Sequence, residues 1–95
     1  MTESGQGESD LIAHIDFNAR AELRKWPSLG GKRVSGSRPY LVAEGSLEEC
    51  IREFMAKPPG ARHLYEIHTS PQADIVSAVM SAEHIVEIAR LRDFL

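Results

Sequence analysis

The chain holds one cysteine in 95 residues, so no disulfide can form within it. No run approaches the ~20 apolar residues of a transmembrane helix, and no membrane partner is expected. Residues 1–19 lack Lys and Arg altogether, and an acidic, polar start is unlike a secretory signal peptide. A reducing cytoplasm is the expected compartment. Gly30-Gly31-Lys32 has the composition of a phosphate-cradling loop but not the Gly-x4-Gly-Lys spacing. Metal-ligand spacing is missing too: His63 and His68 are five apart on an expected strand and point to opposite faces. No metal and no cofactor are therefore expected. Internal repeats are absent.

What is present is the composition of an ordinary small globular chain, 42% apolar and 26% charged with a formal charge of −3. That average conceals three blocks. Residues 1–19 are acidic through Glu3, Glu8, Asp10 and Asp16. Residues 20–38 are basic, with Arg20, Arg24, Lys25, Lys32, Arg33 and Arg38 against Glu22 alone. Residues 39–95 are acidic again. A basic segment between two acidic ones can answer its own domain or reach for an anionic partner.

Residues 1–9 bury nothing and read as a disordered tail. Leu11, Ile15, Ala19, Leu23 and Trp26 recur at spacings of four and three, which predicts an amphipathic helical arm over 10–26. Residues 27–38, rich in Gly and Ser, read as a flexible basic linker to a core domain over 39–95. In that core Tyr40–Glu44 is expected as a strand. Ser46-Leu47-Glu48-Glu49 is a capping box, and Leu47, Cys50, Ile51, Phe54 and Met55 follow at helical spacing. Pro58-Pro59-Gly60 ends that helix. Arg62–Thr69 alternates as a strand, with Tyr65 and Ile67 facing the helices and Leu64, Glu66 and His68 on the open face. Asp74–Met80 is read as a third strand on its β-branched residues, two consecutive helices over 71–93 being the alternative. Ser81 caps a last helix whose Ile85, Ile88, Leu91 and Leu95 form an apolar stripe beside a second one. The expected fold is α+β: a three-stranded sheet with two helices on one face, in the order β-α-β-β-α, after a partly helical arm.

No catalytic constellation is complete. Glu66 and His68, two apart on one strand face, are the weak candidates for an acid–base pair; polar alternation on a wet face explains them as well. Cys50 reads as a core residue. Arg20, Arg24, Lys25, Trp26, Lys32, Arg33 and Arg38 form the segment with which a nucleic-acid reading can be argued, cations for phosphates and an indole for stacking. A pI near 5.8 opposes it. The surplus apolar surface of the last helix, with Ile85, Ile88, Leu91, Phe94 and Leu95, suggests an interface. The leading expectation is a small non-enzymatic interaction or regulatory module, self-associating or bound to a protein partner through that helix or an edge strand. An accessory nucleic-acid binder comes second, and an enzyme using Glu66 and His68 third.

Overall fold

The computed structural model describes residues 14–94. The expected tail over 1–9, the start of the expected arm and Leu95 lie outside the described residues. Over the described residues the chain is α+β, with a four-stranded antiparallel sheet rather than three strands, and two α-helices.

The added strand is β1, Arg20–Lys25, and it corrects the expected helix there. Both periods are written into this stretch. The helical stripe includes Leu23 and Trp26, but from Arg20 the residues also alternate, with Ala21 and Leu23 buried at 1% and 0% exposure. Upstream, the Asn18 amide donates to Asp16 Oδ1 at 2.9 Å, a side-chain turn that competes with helix. An interior strand has its backbone groups satisfied on both sides, and that tertiary pairing overrides a thin amphipathic stripe. The sheet order is β4 (Tyr40–Ser46), β1, β5 (Tyr65–Thr69) and β6 (Val79–Met80).

Pro27 to Pro39 is not a plain linker. Strands β2 (Ser28–Leu29) and β3 (Lys32–Arg33) pair as a small hairpin. Gly30 and Gly31 form its turn with φ of 62° and 79°. Two successive positive φ values are the mark of a two-residue hairpin turn, and only glycine adopts them without strain. Strand β4, Tyr40–Ser46, returns beside β1 with a register shift between Leu23 and Arg24.

Helix α1, Leu47–Met55, forms as its sequence requires. Ser46 Oγ accepts from the Glu49 amide at 3.0 Å, and Glu49 Oε1 accepts from the Ser46 amide at 2.9 Å. Leu47, Cys50, Ile51 and Phe54 are buried. Next, Pro59–Leu64 forms a 3-10 helix, so the expected strand starts three residues late: β5 is Tyr65–Thr69. A proline at the first position favours a helical turn, and Arg62 Nη2 fastens it by donating to the Met55 carbonyl at 2.9 Å.

The expected strand over 74–80 shrinks to β6, Val79–Met80, antiparallel to β5. Gln72–Val76 forms a tight loop with Ala73 at φ 49°. There Val76 reaches the core, at 1% exposure, without strand geometry. Helix α2, Ala82–Arg92, starts at Ser81, whose hydroxyl accepts from the His84 amide. The buried side chains of both helices join Ala21, Leu23, Ile67 and Met80 in a single core cluster. Phe54 meets Tyr65 edge to face at 6.5 Å, a favourable aromatic geometry.

Candidate functional site

Strand alternation sends Ile67 and Leu23 into the core and leaves the opposite sheet face to polar residues. There Glu66 stands across from Arg24, and His68 across from Glu22. Trp26, the residue after β1, donates its indole N–H to Glu66 Oε1 at 2.9 Å. His68 Nε2 donates to Glu66 Oε2 at 2.5 Å. The carboxylate is 9% exposed. Burial alone would raise its pKa, but the hydrogen bonds from Trp26 and His68, with the His68 and Arg33 charges, outweigh that and hold it below the usual value. Each carboxylate oxygen thus has a donor. Glu66 and His68 are brought together as the sequence suggested, with Trp26 as a third member.

The cluster continues into the hairpin. The Arg33 guanidinium lies 4.8 Å from the centre of the Trp26 ring, within cation–π range. The same group donates to the His63 carbonyl at 2.8 and 3.2 Å. His63 Nε2 in turn donates to the Gly31 carbonyl at 2.6 Å. A chain of contacts, Glu66 to Trp26 to Arg33 to His63 to Gly31, therefore ties the β2–β3 hairpin to the sheet.

The basic residues divide by use. Arg20 pairs with Glu44 at 2.6 Å, and Arg24 with Glu22 at 2.8 Å. Lys25 lies 5.8 Å from the centre of the Tyr65 ring. Lys32 and Arg38 are exposed and engage no partner among the described residues. Trp26 has its N–H on Glu66 and Arg33 over one face of its ring.

In α2, Ile85 and Ile88 are buried at 0% and 2% exposure. Both apolar stripes of this helix contribute to its own core, which explains the apparent surplus. Leu91 is half-buried and Phe94 is 84% exposed. Cys50 is buried, and burial pushes its thiol up to about 11, so it is no nucleophile near neutral pH. A cleft of about 550 Å³ separates the hairpin and 3-10 helix from α2, lined by Arg33, Arg62, His63, Glu83 and Val86 among others. Another of about 530 Å³ lies between β4 and α1, with Glu44, Glu49 and Glu53. Neither is lined by Glu66 or His68. Among the described residues no cluster of three metal-ligating side chains occurs, and no helix is long and apolar enough to cross a membrane.

Of the seven large hydrophobic residues exposed among those described, five fall between Leu29 and Val42: Leu29 81%, Val34 40%, Tyr40 49%, Leu41 45% and Val42 38%. Leu29 and Val34 lie in or beside the hairpin, and Tyr40, Leu41 and Val42 lie in β4, which begins next to the end of β1 that leads into the hairpin. Tyr40 pairs with Lys25 there, and the Val34 amide donates to the Pro27 carbonyl at 2.9 Å. A signal was available: Tyr40-Leu41-Val42-Ala43 is apolar without alternation and follows a proline, as suits an edge strand with neither side fully covered. Compared with protein-family models, with curated proteins and with solved structures, the chain matches none.

Proposed function

We propose that this chain is a small protein-interaction module whose docking surface is the end of the sheet formed by the β2–β3 hairpin and the start of β4. The concentration of exposed apolar side chains between Leu29 and Val42 carries this reading. Scattered single hydrophobics are normal on a surface; several on one end of so small a domain mark a contact region. Fully burying an exposed Leu or Val side chain contributes roughly 1.5–3 kcal/mol, which works against the cost of association.

Two further observations support it. The tie from Glu66 through Trp26 and Arg33 to the hairpin holds the surface in place before a partner arrives, and preorganisation lowers the entropic cost of association. The edge itself is unsuited to long strand addition, because the register shift opposite Val42 interrupts its regular hydrogen-bonding row. Docking therefore relies on side chains, with at most a short stretch of backbone pairing. The partner surface expected on α2 is correspondingly reduced to Leu91 and Phe94 among the described residues.

The test is a screen of extended peptides against the intact chain, with binders mapped by amide chemical shifts. Shifts centred on Leu29–Val42, lost when Leu29 and Tyr40 are both changed to Ser, are the expected result. Binders that map to Leu91 and Phe94, or to Glu66 and His68, would replace this surface with another.

A further inference from the structure

The exposed apolar residues from Leu29 to Val42 also fall in the longest stretch of the chain without acid. Between Glu22 and Glu44 there is no Asp or Glu, while Arg24, Lys25, Lys32, Arg33 and Arg38 all fall inside it. We infer that the segment docking there is an acidic, extended stretch of protein with apolar residues between its carboxylates. This rests on the reading of Leu29–Val42 as the docking surface.

Three cations of the hairpin region have no carboxylate bound to them. Lys32 and Arg38 are exposed and without partners among the described residues. Arg33 is held by a carbonyl and a ring, and its charge also acts on the nearby Glu66 carboxylate. The elements packed nearby add little acid. The 3-10 helix contributes Arg62 and His63, and α2 presents Glu83 and Glu87 across the cleft from Arg33, Glu87 also lying 3.7 Å from Arg90. Lys32 and Arg38 are left to the partner. Positive charge interleaved with Leu29, Val34 and Tyr40 is complementary to carboxylates interleaved with apolar side chains.

The chemistry favours protein over the other anionic partners. A single-stranded nucleic acid stacks on successive bare aromatic faces; with Arg33 over one face of Trp26 and Glu66 on its N–H, Tyr40 is the one aromatic ring in this surface that is largely exposed. A bilayer takes an apolar tip with a basic collar; here the exposed apolar side chains are divided between the hairpin, with Leu29 and Val34, and the strand β4, with Tyr40 to Val42. An extended occupant fits a ribbon-like end built from a hairpin and a strand.

The experiment measures binding of three short peptides to the intact chain by fluorescence anisotropy. One alternates Glu with Leu and Val, one has Gln in place of Glu, and one has Lys. An oligonucleotide and phosphatidylserine vesicles complete the series. The acidic peptide should bind about tenfold more tightly than the Gln peptide, as a few exposed ion pairs allow. That margin should shrink as salt shortens the screening length. Changing Lys32 and Arg38 to Gln should erase the preference while leaving the unfolding temperature unchanged. Equal binding of the Gln peptide at Leu29–Val42 overturns the charge inference but leaves the docking surface standing. Binding of vesicles or oligonucleotide with no peptide binding overturns both.

Discussion

Glu66 carries more of the architecture than a strand-face carboxylate usually does. It is almost buried, accepts from Trp26 and His68, and through Trp26 steadies Arg33 and the hairpin. Hydrogen bonds to a charged group contribute about 1.5–3 kcal/mol, so Glu66→Gln should lower unfolding free energy by an amount in that range. Because Trp26 is the chain's one tryptophan, its fluorescence should report the change directly. The pH dependence has a definite sign. The carboxyl is lowered in the folded chain, so its stabilisation is complete above the unfolded carboxylate pKa and is lost as pH falls through the lowered value. Wild-type stability and Trp26 emission should therefore change together on acidification below about pH 4.5, and the Gln variant should lack that component of the pH dependence. An unchanged profile in the variant would remove Glu66 from this role. Little of the cluster was legible beforehand. The two-residue spacing of Glu66 and His68 could be read, but Trp26 lies forty positions from Glu66, and only the strand pairing brings them together.

At the scale of elements, the parts with short-range signals formed where they were expected. The start of α1 is set by Ser46 and Glu49, that of α2 by Ser81, and the β4 strand follows Pro39 directly. Elements fixed by distant neighbours did not declare themselves. Arg20–Lys25 is compatible with both a helical and an alternating pattern, and the choice falls to β4 and β5, which flank it on either side. Ile75 and Val76 look like a strand because they are β-branched, yet they serve the core from a loop. The capping box has a neighbour that sharpens its test. A Cβ on Gly45 would collide with Glu49 Oε1, the oxygen that closes the box. Gly45→Ala should displace Glu49 and cost about 0.5–2 kcal/mol, as loss of a cap does. Ser46→Ala, which removes the acceptor of the Glu49 amide, should cost a similar amount, and the double variant less than the sum, since the two hydrogen bonds close one reciprocal capping box. Full additivity in denaturant unfolding would show that Glu49 keeps its place.

For the whole molecule, the boundary expected near residue 38 has no counterpart in the packing of the described residues. Ala21 and Leu23 sit in the same core as Ile67 and both helices. Leu23→Ala should therefore destabilise the entire chain by about 2–5 kcal/mol, the range for a buried leucine, with circular dichroism and Trp26 fluorescence unfolding in one transition. An early loss of β1 with the rest intact would show that the segment is separable. The position of β1 also has a consequence in time. Arg20 can find Ser46 as soon as the β1–β4 loop closes, but Leu23 also needs Ile67 and Trp26 needs Glu66. Pairings so distant in sequence slow folding. On the ribosome, which delivers about 5–20 residues per second, the first strand of this sheet emerges seconds before its second neighbour. In that interval Ala21 and Leu23 have no completed core to enter.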